Sequence, residues 1–310
     1  MTPDAPDLVA EHDALRHGVG AYRLPRDVVS VHGPDALDYL QGQCSQDVSV
    51  LEVGDHADAL LLAPDGKLDA LVRVTRVAPD RLVVDTDEGF GELVVARLNR
   101  FRLRTRVEIE PIDWACLALR GEGVAPGSGT GAIRPAVDWH GWTGVDLLGP
   151  AEELAAPEGA RWCGSAAWEA CRVESGVPVM GRELDGRTIA AEADLVGRAV
   201  SFTKGCFTGQ ELVARLDARG SRVARHLVGV VLGPGAALGP EELAGSDLVV
   251  PGRDAPVGTV TSAAFCPGVG GVAGLAYAHR SVDVPGPVAV RPAGETGSVA
   301  AAEVRPLPMA

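Results

Sequence analysis

The most informative segment of this 310-residue chain reads Lys204-Gly205-Cys206-Phe207-Thr208-Gly209-Gln210-Glu211. Its T-x-x-E pattern, from Thr208 to Glu211, is typical of a capping box, in which each side chain accepts a hydrogen bond from the other residue's backbone amide. The spacing predicts a helix that follows this box, carries an apolar stripe and ends near Gly220. Cys206 then lies two residues before the N-cap, where the helix dipole and a neighbouring lysine favour the thiolate.

Two interpretations of Cys206 are open at this point. In the first, the residue is a reactive thiol, and Gly205 and Gly209 let the backbone turn sharply or approach a partner closely. In the second, it is a buried and inert cysteine in a glycine-rich turn, because free cysteine is among the residue types most often buried. Other segments of the sequence are needed to distinguish these two interpretations.

The composition is that of a folded, enzyme-like protein. Hydrophobic residues make up 46% and charged residues 23% of the chain, and its length suffices for two or three cores. No apolar run approaches the ~20 residues that a membrane span needs. Residues 1–17 are acidic, interrupted by two prolines, and lack the basic and apolar regions of a signal peptide. We therefore expect a cytoplasmic protein without membrane association.

The formal net charge of −14 argues against tight, non-specific nucleic-acid binding. Two groups of arginines could still form local basic patches: Arg102, Arg104 and Arg106 on a predicted strand, and Arg215, Arg219, Arg222 and Arg225 on and after the helix that follows the central segment. Two alternatives follow from them. These residues are solvated faces, or they belong to a non-catalytic RNA- or protein-binding module.

The cysteines predict neither a metal site nor a disulfide framework. The six cysteines contain no C-x-x-C pair, and neither they nor the seven histidines show zinc-site spacing. We expect no structural metal and no stably bound iron–sulfur cluster. Scattered single cysteines are typical of a reducing compartment.

Short strands and helices alternate over residues 1–225, which predicts an α+β region. Residues 1–20 read as a loose leader. The pattern predicts a strand–turn–strand hairpin at residues 57–77, an amphipathic helix at 88–101, a strand at 102–109 and a helix from 165 to about 174. Residues 226–310 consist of short apolar runs punctuated by Gly and Pro, which favours a separate C-terminal β-barrel domain.

Three further residues are candidates for chemistry. Trp168 could stack on a ligand ring, and Glu174, at the C-terminal end of the same predicted helix, could accept paired hydrogen bonds from a bicyclic, amide-like ring such as a pterin. The alternative for this pair is a core tryptophan and a solvated glutamate. Asp69, in an otherwise apolar strand, either faces solvent or points into a cleft as a base or hydrogen-bond acceptor.

The central segment resembles the K-G-C-[FY]-x-G-Q-E signature of the YgfZ family of folate-binding proteins, which are relatives of the glycine-cleavage T-protein (aminomethyltransferase). The resemblance extends from about residue 28, through residues 39–43, 64–67 and 172–178, into the C-terminal β region. It implies a T-protein-like, multi-domain α+β assembly around a central cavity, with a C-terminal barrel. It also implies a bound tetrahydrofolate or derivative and a role in the assembly or repair of iron–sulfur clusters, which supports iron–sulfur enzymes, including ones that modify tRNA.

The resemblance also assigns site residues. Cys206 matches the family's functional cysteine, and Trp168 and Glu174 fall where relatives have residues that contact the folate. Asp69 lies in the region of the T-protein's catalytic aspartate. The family's second folate-contacting tryptophan is missing, and Arg26 lies near its position. Further cofactor-site residues are expected among the signature positions Lys204, Gln210 and Arg215.

Two functions from different classes follow from this resemblance. The first is a folate-binding accessory factor for iron–sulfur client proteins, with Cys206 as a functional thiol. The second is a folate-dependent aminomethyl- or methyltransferase of the T-protein type, with Asp69 as the catalytic carboxylate. A transferase has no evident need for the cysteine signature, so the signature favours the accessory factor.

Overall fold

The computed structural model describes residues 5–125, 127–220, 222–250, 255–294 and 299–310. The described chain contains these α-helices: α1 Ala5–Arg16, α2 Ala36–Gln43, α3 Gly91–Arg100, α4 Ser165–Ser175, α5 Val196–Ala199, α6 Gln210–Asp217 and α7 Pro240–Leu243. Short 3₁₀ turns occur at Ala151–Glu153, Ala190–Ala193 and Pro267–Val269. None of these helices is long and apolar enough to cross a membrane.

The same residues form strands that belong to two open sheets and one barrel. The strands are β1 Gly20–Arg23, β2 Arg26–His32, β3 His56–Leu62, β4 Leu68–Ala78, β5 Arg81–Asp87, β6 Glu108–Ile112, β7 Ala115–Arg120, β8 Ala136–Trp139, β9 Trp142–Gly149, β10 Arg161–Trp162, β11 Arg225–Leu232, β12 Asp247–Val249, β13 Gly258–Cys266, β14 Gly271–His279, β15 Gly286–Arg291 and β16 Ala300–Arg305.

The first sheet has the strand order β3-β4-β5-β2-β6, with antiparallel neighbours throughout. The predicted hairpin at 57–77 is confirmed as β3 and β4, and the predicted amphipathic helix at 88–101 is confirmed as α3. Leu60, Leu61 and Leu62 are fully buried on β3 and form the core together with apolar side chains from α2 and α3. Continuous apolar strands are expected where both faces of a sheet are covered.

The second sheet has the order β10-β1-β7-β9-β8 and is covered by α1 and α4. The prediction that residues 1–20 form a loose leader is wrong for residues 5–16, which form α1. Leu8 and Leu15 are seven residues apart, lie on one face of α1, and are buried against Trp168 and Cys171 of α4. This apolar pair stabilises the helix although the surrounding sequence is polar.

The C-terminal strands close into a six-stranded barrel of order β11-β14-β13-β12-β15-β16. Its interior is filled by small and branched apolar side chains such as Val230, Leu248 and Val290. Helix α4 packs against β13 from outside. The predicted α+β class with a C-terminal β-barrel is therefore confirmed.

The predicted strand at 102–109 is wrong for residues 102–107, because β6 begins at Glu108. Arg104 has φ +61°, in the left-handed region, which interrupts extended backbone. The three arginines of this segment therefore do not share one face of a strand. Arg106 instead forms an ion pair with Asp35, 2.8 Å away, at the surface.

Candidate functional site

A central cavity of about 260 Å³ lies between the two open sheets. Strands β3, β4 and β5 form one wall, strands β7, β8 and β9 form the other, and α4 with residues 177–179 closes one side. The inner end is deeply buried: Arg120, Trp142 and Asp146 are each 3% exposed. The mouth is formed by half-buried or exposed residues, including His56 and Trp139.

One side of the cavity is aromatic. Three of the five tryptophans of the chain, Trp139, Trp142 and Trp168, line it. The rings of Trp142 and Trp168 are 4.8 Å apart at their centres, and Tyr22 stacks on Trp168 at 4.6 Å. The chain is otherwise poor in aromatic residues, at 4% of the sequence, so this concentration marks the cavity as a place where a flat ring could be held.

The cavity also borders a continuous row of alternating charges, here called the charge ladder. In order along the row it consists of Arg120, Asp146, Arg73, Asp85, Arg26 and Asp87. Successive members are separated by 2.6 to 2.8 Å between nitrogen and oxygen. The ladder crosses from the second sheet, at β7 and β9, to the first sheet, at β4, β5 and β2, and so joins the two cavity walls.

Opposite charges beside them favour the charged forms of Asp146 and Arg73. Burial acts to raise the pKa of Asp146, but Arg120 and Arg73 outweigh burial and lower that pKa below its ordinary value. Burial acts to lower the pKa of Arg73, while Asp85 and Asp146 raise it well above its ordinary value. The cavity therefore presents strong donors and acceptors without a large excess of either sign.

The mouth of the cavity has its own cation. The guanidinium carbon of Arg198 lies 3.7 Å from the ring centre of Trp139, and Arg198 forms an ion pair with Asp58 at 2.8 Å. Both partners of that ion pair are about one quarter exposed, at 26% and 23% of their side chains. This arrangement leaves a positively charged, aromatic surface within reach of solvent.

Of the residues predicted from the sequence, Trp168 lines the cavity, whereas Glu174 does not. The predicted helix at 165–174 is confirmed as α4, which ends at Gly176 in the left-handed conformation. Six residues separate Trp168 from Glu174, which turns their side chains roughly 120° apart around the helix. This angular separation could have been predicted from the sequence spacing of the two residues.

Glu174 joins three elements in the interior. Its side chain is fully buried, and its oxygens accept hydrogen bonds from His12 at 2.7 Å, Arg16 at 2.9 Å and the Gly268 amide at 2.8 Å. Burial acts to raise its pKa, but the bonds from His12 and Arg16 lower the pKa below its usual range. Glu174 therefore binds α1, α4 and the barrel together, and its hydrogen-bonding capacity is used within the chain.

Asp69 lies outside the cavity lining. It occupies an irregularity between β3 and β4, where Leu61 pairs with Ala70 and Leu62 pairs with Leu68. Its carboxylate is 28% exposed and accepts a hydrogen bond from Arg97 Nε at 2.9 Å. The structure therefore pairs Asp69 with a cation of α3 and does not bring it together with Trp168.

The signature segment, residues 204–211, is anchored at several points. The Lys204 ammonium donates to the carbonyl oxygens of Gln41, Cys44 and Gln46, at 2.5 to 2.9 Å. Burial lowers the pKa of Lys204 below its ordinary value, and the three carbonyl oxygens provide acceptors for its charged form. Phe207 is 8% exposed and packs in the core of the first sheet.

The predicted capping box does not form. Helix α6 begins at Gln210, and its N-cap residue is Gly209, which supplies no side-chain cap. Gly209 has φ +81°, and a Cβ atom there would lie 2.6 Å from the Ala63 carbonyl oxygen. The backbone packs this closely on the β3–β4 turn, and the N-cap lies one residue later than the spacing of Thr208 and Glu211 predicts.

Cys206 is exposed and lies outside the cavity lining, three residues before the N-cap of α6. The interpretation of Cys206 as a buried cysteine is therefore wrong, and the thiol is not part of the cavity lining. Gln210 is half-buried and Arg215 is exposed, and neither they nor Lys204 line the cavity. The structure thus separates the signature segment from the ligand-sized space that Trp168 lines.

The ladder residues were missed by the sequence analysis. Arg73 follows Val72, Asp85 follows Val84, and Asp146 follows Val145, so each charge sits inside an apolar strand. Charges are rarely buried unless they are paired, and several such strands in one chain indicate mutual partners. Arg26, which stands near the position of the missing family tryptophan, is a member of the same ladder.

The two sheets, the cavity between them and the closed barrel define a T-protein-like fold. Residues 4–124 match the family model described as the GCVT N-terminal domain. The structure is similar to the crystal structure of glycine cleavage system aminomethyltransferase T from Bartonella henselae, with a TM-score of 0.80 over 98% of this chain and 89% of that chain, at 22% identity.

Sequence comparison defines the family. The tRNA-modifying protein YgfZ of Edwardsiella ictaluri is 28% identical over 240 residues, which cover 70% of this chain and 71% of that protein. The aminomethyltransferase of Rubrobacter xylanophilus is 30% identical over 301 residues, which cover 87% of this chain and 78% of that protein. The chain belongs to the YgfZ/GcvT-like family, and the resemblance identified from the signature is confirmed.

Proposed function

We propose that the chain binds tetrahydrofolate, or a derivative of it, in the central cavity and supports the assembly or repair of iron–sulfur clusters in client proteins. The observation that carries the folate proposal is that three tryptophans and most of the charge ladder line one cavity. A reduced pterin is a flat ring with donors and acceptors around its edge, so it can use both the aromatic and the charged side chains. Residues 1–225 would form the folate-binding region and residues 226–310 the barrel domain.

The size of the cavity supports a particular way of binding. Its volume of about 260 Å³ is slightly below the roughly 300–1,000 Å³ of typical small-molecule sites. The bicyclic head fits such a space better than a whole folate does. The anionic glutamate tail then extends through the mouth, where Arg198 and His56 lie.

The thiol has a separate role in this proposal. Cys206 is exposed, while Lys204 on one side of it and Phe207 on the other are both buried and anchored. A thiol held on an anchored segment at the surface can meet a client protein without entering the cavity. The relative in Edwardsiella ictaluri is a tRNA-modifying protein, which is consistent with clients among iron–sulfur enzymes that modify tRNA.

A second candidate function is the folate-dependent aminomethyl- or methyltransferase with Asp69 as the catalytic carboxylate. The aminomethyltransferase relative at 30% identity favours it. The pairing of Asp69 with Arg97 outside the cavity lining counts against it. Production of methylene-tetrahydrofolate from an aminomethyl donor, in the presence of complete glycine-cleavage partners, would establish this function in place of the accessory role.

Calorimetric titration with tetrahydrofolate tests the binding site. Trp139→Ala removes a half-buried ring from the mouth, and Trp162→Ala removes a ring that is 52% exposed and outside the cavity. We expect Trp139→Ala to weaken binding by about tenfold, since stacking of a ring on an aromatic side chain contributes roughly 1–3 kcal/mol. Trp162→Ala should bind like the parent protein. Absence of binding at millimolar ligand would refute the folate proposal.

Complementation tests the thiol. In a strain that lacks this protein, Cys206→Ser should fold and bind folate normally but fail to restore the activity of iron–sulfur enzymes. Cys163→Ser is the matched control, because Cys163 is half-buried and distant in sequence from the signature. Full rescue by Cys206→Ser would remove the thiol from the proposed function.

A further inference from the structure

Arg120 is the arginine of the charge ladder whose hydrogen-bonding capacity is least used. Its Nη1 donates to the carbonyl oxygens of Leu119 and Val145 at 3.1 and 3.3 Å and lies 2.7 Å from Asp146 Oδ1. The approach to Asp146 is an ion pair without hydrogen-bond alignment, so Oδ1 has no hydrogen-bond partner among the described residues. Within the same described chain, Arg120 Nε has no partner either, and no hydrogen bond uses Nη2.

Other buried arginines of the cavity are fully engaged. All three side-chain nitrogens of Arg73 donate to Asp85 or Asp146. Those of Arg172 donate to Glu169, Glu183 and a backbone carbonyl. A buried donor without a partner is costly, and native structures leave few of them. Nε of Arg120 is enclosed by the chain, whereas Nη2 is not among the enclosed atoms and is the nitrogen that can donate to an acceptor from outside the chain.

The position of Arg120 defines what that acceptor can be. Its side chain is 4% exposed, lines the inner end of the cavity, and lies over the rings of Trp142 and Trp168 at 5.5 and 5.2 Å. Flat surroundings favour a planar group. Asp146, which is 2.7 Å from Arg120, repels a second carboxylate, so a neutral carbonyl oxygen suits the site better than an anion.

We propose that Arg120 selects the ligand by donating a hydrogen bond to the carbonyl oxygen at position 4 of the pteridine head. This inference rests on the proposed folate-binding function and adds its orientation: the carbonyl edge of the ring enters first, and the tail points to the mouth. Arg120 is then a specificity-determining residue, and the ladder holds its guanidinium in place through Asp146.

The test compares two ligands that differ at one position. In tetrahydroaminopterin an amino group replaces the 4-carbonyl of tetrahydrofolate, which exchanges an acceptor for a donor at position 4 and turns the neighbouring N3–H donor into an acceptor; the variants below assign the effect of position 4 to Arg120. We expect the parent protein to bind tetrahydrofolate ten- to a hundredfold more tightly, because a hydrogen bond to a charged group contributes about 1.5–3 kcal/mol and 1.4 kcal/mol is tenfold.

Variants then assign this preference to Arg120. In Arg120→Lys the charge opposite Asp146 is kept but the forked guanidinium is lost, and the preference should fall below about threefold. Arg106→Lys makes the same exchange in the surface ion pair with Asp35, outside the cavity, and should leave the preference unchanged. A preference retained in Arg120→Lys, with normal folding by circular dichroism, would overturn the inference.

The affinities of the parent protein for the two ligands can refute the inference even if Arg120→Lys does not fold. Equal affinity for the two ligands overturns the role of Arg120 while leaving folate binding intact. Failure to bind either ligand overturns the proposed function itself, and the inference with it. The two failures are therefore distinguishable in one titration series.

Discussion

The two glycines of the signature segment should respond in opposite ways to the same substitution, Gly→Ala. Gly209 has φ +81°, and an added Cβ would lie 2.6 Å from the Ala63 carbonyl oxygen and 2.7 Å from Leu62 Cβ. Gly205 has no atom within 4 Å of an added Cβ and a backbone conformation open to other residues. Gly209 is therefore required by the fold, whereas the fold does not require Gly205.

The expected magnitudes follow from these geometries. Alanine in the left-handed region costs roughly 1–2 kcal/mol, and overpacking against neighbouring atoms costs typically ~1–3 kcal/mol. Gly209→Ala should therefore lower the free energy of unfolding by about 2–5 kcal/mol. Gly205→Ala should change it by no more than about 0.5 kcal/mol, as for other open surface positions.

Equilibrium unfolding in urea measures both variants against the parent protein, with the slope as a check that the same surface is exposed. Loss of less than about 1 kcal/mol in Gly209→Ala would refute the packing argument, because neither the strain nor the contact would then be present. Gly205→Ala should next be tested for complementation. If it folds normally but loses activity, Gly205 is needed for the close approach of a partner to Cys206.

Three further predictions concern the thiols, the ladder and the buried glutamate. Maleimide should label Cys206 first in the native protein, because Cys163 is half-buried with a pKa raised to about 11 by burial; peptide mass spectrometry showing Cys163 labelled first would contradict this. The lowered pKa of Asp146 contributes stability that is present above the unfolded pKa of about 3.9 and is lost as the pH falls toward the lower pKa of the folded state. The free energy of unfolding should therefore decline more steeply between about pH 5 and pH 2 in the parent protein than in Asp146→Asn. Parallel declines would exclude this linkage. Glu174→Gln should lower the free energy of unfolding by about 3–5 kcal/mol, because it leaves Arg16 without its buried partner. Folate affinity should stay within about threefold of that of the parent protein. Calorimetry showing a large loss of affinity at unchanged stability would instead indicate that Glu174 contacts the ligand.

Local patterns predicted much of the fold. Apolar runs around Pro64-Asp65-Gly66 predicted the β3–β4 hairpin, and Gly- and Pro-punctuated runs after residue 226 predicted the barrel. The start of α6 could not be predicted in this way. It depends on the contact of Gly209 with Ala63, residues separated by more than a hundred positions, and a local capping pattern carries no information about that contact.

The residues of the candidate site also differ in whether local sequence patterns could predict them. Trp168 was found because a tryptophan on an amphipathic helix is a local signal that the family signature reinforces. The ladder depends on pairs such as Arg73 with Asp146, which are 73 residues apart, so only the isolated charges in apolar strands could have hinted at it. The sequence analysis assigned Glu174 to the ligand because it could not foresee the true partner. That partner, His12, lies 162 residues away in a segment predicted to be a loose leader.

The β3–β4 hairpin links the cavity to the thiol although the two are separate. Its strands supply Leu71 and Arg73 to the cavity wall, and its turn at Gly66 packs against Leu212 and Gly209 beside the signature segment. A ligand that binds only the folded hairpin stabilises it by about 2.7 kcal/mol at a hundred times its dissociation constant. We therefore expect tetrahydrofolate to slow amide hydrogen exchange at residues 60–66 and to leave the exposure of Cys206 unchanged. Slower exchange would show that folate stabilises the hairpin on which the signature segment packs, so that direct chemistry between the cofactor and the sulfur is not required. Unchanged exchange in the hairpin with folate bound would show that the two sites are independent.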